Sequence, residues 1–284
     1  MKAPLMPETP ARLSLHLDLV PLDLAWGDPA RNLALSEEAI IQALRENPDI
    51  PSDSRIFVFP EVSLTGFQTT DAGAFALERD SAQVRGMMDL AKRHRVGIIF
   101  GFPEKLGGSD KPYNTLIFAS PDGGEVADYR KIHLYTAGAA PESEHYVSGD
   151  SGSLAHYRGW KIGFGLCFDL RFPSLFQSYA REGADLVILP ACWIGGPGKA
   201  DQFRILSAAR AIEGQFFFAA LNRSGKDPTY FYEGDVWCFS PRGVARPPCA
   251  KGAGGFDLDP ALLDEARHLS IRASDREQYP IVIS

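Results

Sequence analysis

Short apolar runs with a two-residue period alternate along this chain with amphipathic stretches of helical period, and tight-turn signals join several neighbouring runs. Together these observations predict an α/β fold with mixed sheets. With 284 residues, 45% hydrophobic content and a net charge of −7, the chain has ample material for a globular core. No Pro/Gly/Ser-rich linker interrupts it, so we expect a loose N-terminal extension over residues 1–12 and a single domain over 13–284.

The elements follow in order. LSLHLDLV (13–20) alternates and opens the fold as a strand. Residues 30–47 carry Leu33, Ile40, Ala43 and Leu44 at helical spacing, and Pro48 closes that helix. IFVF (56–59) is a buried strand, and residues 74–95 form a helix with Val84, Met87, Met88 and Ala91 on one side. GIIFGF (97–102) and TLIFA (115–119) are strands, PDGG (121–124) is a hairpin turn, and EVADYRK (125–131) returns as a strand. Residues 157–160 turn tightly into WKIGFGL (160–166). Helices over 172–182 and 199–213 flank the strand LVILP (186–190), and QFFFAALN (215–222) is too apolar for a surface. DVWCFSPRG (235–243) and GGFDLD (254–259) are expected to add a closing hairpin, followed by a short helix over 260–268 with proline in its first turn.

The chemistry concentrates at three strand ends. In WKIGFGLCFDLRFP (160–173), Cys167 stands where an alternating strand gives way to a helix. Turn amides and the positive helix end face a side chain at such a corner, which is the geometry a nucleophile needs. Glu61 in FPEVSLTGF (59–67) directly follows a buried strand and a proline, at the carboxyl end where open α/β sheets bind ligands. Lys131 in YRKIHLY (129–135) ends a third strand. A thiol, a carboxylate and an ammonium so placed make a coherent acyl-transfer site.

These three motifs, in this order, resemble the nitrilase superfamily of carbon–nitrogen hydrolases. DLVILPACW (185–193), ARAIEGQFFFAALNRSG (209–225) and YEGDVWCFSPRG (232–243) extend the resemblance over nearly the whole chain. The resemblance implies an α-β-β-α sandwich, two mixed sheets face to face with helices outside. It also implies a catalytic triad of Glu61, Lys131 and Cys167. FPEVSLTGF, CFDLRFP and YEGDVWCFSPRG are most similar to the omega-amidase branch, which hydrolyses the terminal amide of small acids such as 2-oxoglutaramate or succinamate. A related reading is an N-carbamoyl amine or amino-acid amidohydrolase. A third is a catalytically silent binding protein of the same fold, against which the intact triad argues.

The chain departs from the family's pattern at Phe168, where tyrosine often follows the nucleophile, and at Phe203, Cys192 and Gly214. These changes bear on substrate choice and leave the triad untouched. The family also carries a second glutamate before a Gly-Asp pair, and spacing to Gly149 favours Glu142 over Glu144. Glu142 and the backbone amide of Phe168 are the supporting groups this implies. Related carbamoylases hold a substrate carboxylate with an arginine at the spacing of Arg171, whose planar guanidinium suits that task. The alternative for Arg171 is a salt bridge to Asp169 or Glu182. Phe67 and Trp193 are candidate pocket walls.

No C-x-x-C or H-E-x-x-H spacing suggests a metal, and the chemistry calls for no cofactor. With no Lys/Arg cluster and an acidic balance, nucleic acid is a poor partner. No apolar run reaches membrane-spanning length, and the start lacks an apolar signal segment, so a cytoplasmic location is expected, which suits a working thiol. The apolar run at 279–283, and the family's habit of pairing subunits through the helix after the nucleophile and the C-terminal segment, lead us to expect a homodimer or larger homo-oligomer.

Overall fold

The computed structural model describes residues 11–68, 70–136, 141–246 and 254–268. In chain order the strands are β1 (Leu15–Leu19), β2 (Arg55–Val58), β3 (Gly97–Glu104), β4 (Tyr113–Ala119), β5 (Glu125–Arg130), β6 (Leu154–Tyr157), β7 (Trp160–Phe164), β8 (Leu186–Ala191), β9 (Phe217–Asn222), β10 (Ser224–Lys226), β11 (Phe231–Glu233), β12 (Val236–Phe239) and β13 (Gly255–Leu258). The helices are α1 (Pro29–Glu46), α2 (Ala82–His94), α3 (Pro173–Arg181), α4 (Lys199–Gly214) and α5 (Ala261–Arg267).

Two mixed sheets result, in the orders β13-β1-β2-β3-β4-β5 and β12-β9-β8-β7-β6, with β10 and β11 as a separate hairpin. Each has a parallel centre, β1-β2-β3 in one and β7-β8-β9 in the other, flanked by antiparallel strands. The two-residue period assigns the faces. Ile56, Val58, Ile99, Leu116 and Phe118 pack in a core shared with the second sheet, while Phe57, Ile98, Phe100 and Ile117 pack with Ile40 of α1 and Met87 of α2. Phe118 reaches across the sandwich to Tyr157 (5.0 Å) and Phe164 (6.4 Å). On the far side Phe176 of α3 meets Phe218 at 5.5 Å. This is the expected α-β-β-α sandwich.

Two local expectations are corrected. The helix expected over 74–95 starts at Ala82, behind a Ser81 cap whose hydroxyl accepts from the Val84 amide. Ahead of it Leu77 is held extended by backbone bonds to Pro103 and Lys105, so helical spacing in 74–80 loses to strand-like pairing. The expected closing hairpin is not one: β12 pairs with β9 in the second sheet and β13 with β1 in the first. The apolar run at 279–283 and Cys249 lie outside the described residues, as do residues 1–10 of the expected extension. Arg12 is ion-paired to Asp185 at 2.9 Å.

The sheet edge carries a titratable lock. His16 is buried, with Nδ1 2.7 Å from Asp257 on β13 and Nε2 3.6 Å from Asp18, which Arg55 grips through two bonds of 2.7 and 2.8 Å. Burial alone would lower the imidazole pKa, but the charges of Asp18 and Asp257 and the hydrogen bond to Asp257 outweigh it and raise it above the ordinary value. A raised folded-state pKa gives stability that is full below the unfolded value, near 6.5, and lost as pH rises through the folded value. The stability advantage of the wild type over His16→Gln should therefore be greatest at mildly acidic pH and shrink toward alkaline pH. Urea denaturation across that range checks this, and a pH-independent difference would refute it.

Candidate active site

Glu61 lies in the turn after β2, one residue past Pro60, and Lys131 directly follows β5. Both side chains are 1% exposed. Lys131 Nζ donates to Glu61 Oε1 at 2.8 Å and to Glu142 Oε1 and Oε2 at 2.9 and 2.8 Å. It is therefore Glu142, from the turn Glu142–Glu144, that joins the cluster. Glu142 Oε2 also accepts from the Tyr135 amide at 3.0 Å. Asn114 on β4 bridges the two carboxylates, donating to Glu61 at 2.8 Å and to Glu142 at 3.2 Å. The other Glu61 oxygen accepts from the Cys192 amide at 2.7 Å, and the Cys192 thiol donates to the Glu61 carbonyl at 3.3 Å.

This is a buried array of one ammonium and two carboxylates. Burial would lower the Lys131 pKa, but the charges of Glu142 and Glu61 drive it well above its ordinary value. Glu142 is raised by burial and by Glu61, with Lys131 opposing. The array thus holds Lys131 protonated.

Cys167 opens a 3₁₀ turn, Cys167–Arg171, just past β7, and its φ of +43° lies in the left-handed region that non-glycine residues rarely adopt. Asp169, wholly buried, secures this strained turn. It accepts from the Leu166 amide (2.9 Å), the His133 amide (3.0 Å) and the Tyr129 hydroxyl (2.8 Å), and sits 2.7 Å from His133 Nδ1. His133 stacks on Phe172 at 3.9 Å, so the segment that carries Lys131 is tied to the Cys167 turn. Burial pushes the Cys167 thiol well above its ordinary pKa, and the Glu61 charge adds to this while Lys131 partly offsets it. At rest the sulfur is a thiol.

Arg171 is not paired with Asp169, whose oxygens are engaged elsewhere. Its Nη2 donates to Gln202 on α4 at 2.8 Å, and its guanidinium lies 4.7 Å from the centre of the Trp193 ring. Trp193 is buried, packs on Phe203 at 5.5 Å and donates to the Lys199 carbonyl. Phe67 sits with its ring centre 5.8 Å from Lys131 Nζ and stacks on Tyr146. Val62, Cys192 and Tyr232 form a small apolar cluster beside Phe67. Phe168 turns its ring edge-on to Tyr135 and Phe172. Sequence reasoning missed Asn114, Tyr146, His133 and Asp169 as parts of this site. Their only sequence signal was position inside or beside the motifs already singled out.

A sequence profile of the carbon-nitrogen hydrolase family matches residues 19–249. The chain belongs to that family. This carbon–nitrogen hydrolase is 28% identical over 221 residues to the 2-oxoglutaramate amidase of Bacillus subtilis, covering 78% of this chain and 81% of that protein. It is 30% identical over 203 residues to the deaminated glutathione amidase of Synechocystis sp., covering 68% and 72%. Among solved structures, a CN-hydrolase superfamily protein of Xanthomonas campestris with an arsenic adduct in its active site superposes with a TM-score of 0.81 at 25% identity, covering 95% of this chain and all (100%) of that one. Saccharomyces cerevisiae Nit3, of the nitrilase superfamily, follows at a TM-score of 0.78 and 25% identity, covering 91% and 94%. The nitrilase-superfamily resemblance read from the motifs is thus shown, and the chain is an amidase-type hydrolase.

Proposed function

We propose that this amidase hydrolyses the amide of a small carboxylate-bearing acid, as omega-amidases do, through a thioester on Cys167. The observation that carries the chemistry is the contact of Glu61, Lys131 and Glu142 in one buried array whose charges act on the Cys167 thiol. Glu61 takes the thiol proton as sulfur adds to the amide carbonyl. The resulting oxyanion is held by Lys131 Nζ and the Phe168 amide, each worth about 3–4 kcal/mol in comparable sites. Glu61 returns its proton to the nitrogen, the C–N bond breaks and ammonia departs. Water then loses a proton to Glu61 and adds to the thioester carbon. The C–S bond breaks, the acid leaves and sulfur recovers the proton. Glu142 keeps the ammonium in place throughout, and the scheme needs no cofactor.

Arg171 is the candidate anchor for the substrate's carboxylate. One of its nitrogens is engaged by Gln202 and its face rests on Trp193, which supports a fixed fork. Arg171→Lys keeps the charge and loses the fork. It should lower kcat/KM for succinamate by about 10- to 100-fold, the worth of a charge-assisted bond, while leaving butyramide nearly unchanged. Steady-state ammonia release on both amides checks this, and an unchanged ratio would refute the anchor. Self-association is proposed on the family resemblance.

A further inference from the structure

Two polar atoms at the catalytic array are buried with no hydrogen-bond partner among the described residues: Asn114 Oδ1 and the Tyr146 hydroxyl. The orientation of Asn114 is fixed, because its amide nitrogen donates to both Glu61 and Glu142, and a flip would set its carbonyl against two carboxylates. Tyr146 is held just as firmly. Its ring lies parallel to Phe67 at 6.2 Å, its amide donates to the Glu142 carbonyl, and the next residue, Val147, bridges to Tyr113, the neighbour of Asn114. Burial and the charges of Glu142 and Glu61 raise the phenol pKa well above its usual value, so it is a neutral O–H. Buried polar groups without partners are rare, and each calls for a reason.

We propose that Asn114 Oδ1 and the Tyr146 hydroxyl, with Glu61, form the seat of the water that hydrolyses the thioester, making Tyr146 a water-positioning residue. This rests on the amidase reading above. The three groups match a water molecule: Glu61 and Asn114 Oδ1 accept its two protons, and Tyr146 donates to its oxygen. The amide nitrogen of the first half-reaction is tethered by its own bond to the carbonyl carbon. The water of the second half has no tether, so its attack depends on a seat. Its O–H proton passes to Glu61 as its oxygen bonds to the thioester carbon. When the C–S bond breaks, that proton passes to sulfur.

Tyr146→Phe in the full chain tests this, since it removes one oxygen and keeps the ring and its stack. The melting temperature should not fall, because no protein hydrogen bond is lost. With succinamate, kcat should drop about 10- to 100-fold, the cost of a misplaced reacting group, and KM should fall with it. Intact mass should show acyl-Cys167 accumulating, and added hydroxylamine should restore turnover by taking the acyl group as a hydroxamate. Wild-type kcat, a melting temperature lowered by several degrees, or slow turnover without acyl-enzyme would each overturn the proposal. A wild type that releases no ammonia from any amide would remove the amidase reading and the seat together. An active wild type indistinguishable from Tyr146→Phe removes the seat alone.

Discussion

Cys167→Ala is expected to abolish ammonia release, with kcat/KM down by about 10⁴- to 10⁶-fold, as when a covalent nucleophile is removed elsewhere. The fold should persist. The left-handed backbone at residue 167 is set by the Asp169 brace, which the substitution does not touch. Alanine there carries the same Cβ and so the same backbone strain. The informative control is Cys192→Ala. Cys192 touches Glu61 through its backbone amide at 2.7 Å, which any residue supplies, and through a weak thiol bond to the Glu61 carbonyl. Its loss should leave activity within a few-fold of the wild type. Ammonia assays on both variants, with circular dichroism to confirm folding, check the pair. If Cys192 proved essential and Cys167 dispensable, the assignment would be wrong.

The difference between those two cysteines shows what the sequence carries. Cys167 was legible because an alternating strand ends one residue before it and a helix-like run follows, so the chain's own periodicity marks the corner. Glu61 was legible at the end of an apolar run, whereas Lys131 directly follows the amphipathic strand EVADYR and stood out through the family resemblance. Asn114 was not legible. It is the second residue of β4, and nothing in YNTLIFA says that its amide spans two carboxylates from distant segments. Asp169 was read as a possible mate for Arg171, two positions further along the chain. In a 3₁₀ turn that spacing puts the side chains on different sides, and Asp169 turns inward to His133 and Tyr129. The strand character of 254–259 was read correctly, but its partner was not. Alternation fixes which face is buried and says nothing about which edge a strand joins.

Lys131→Met is expected to cost both catalysis and stability, and the two losses have separate origins. Removing one oxyanion donor costs about 10²–10³ in kcat. Methionine also leaves Glu61 and Glu142 buried with no cation between them, where now a single ammonium bonds to both within 2.9 Å. Breaking a buried pair in this way costs about 3–5 kcal/mol. The pH dependence identifies the cause. Burial and the Glu61 charge already raise the Glu142 pKa, and Lys131 is what opposes them. Without the ammonium, that pKa rises further. A carboxyl with a raised folded-state pKa stabilises the fold below its unfolded value, and the contribution is lost as pH rises. The stability deficit of Lys131→Met should therefore be largest at neutral pH and shrink toward acid, as one carboxyl takes up a proton. Urea denaturation between mildly acidic and neutral pH measures this. A variant that lost activity but kept full stability at every pH would show that the two carboxylates do not depend on Lys131 for their charge.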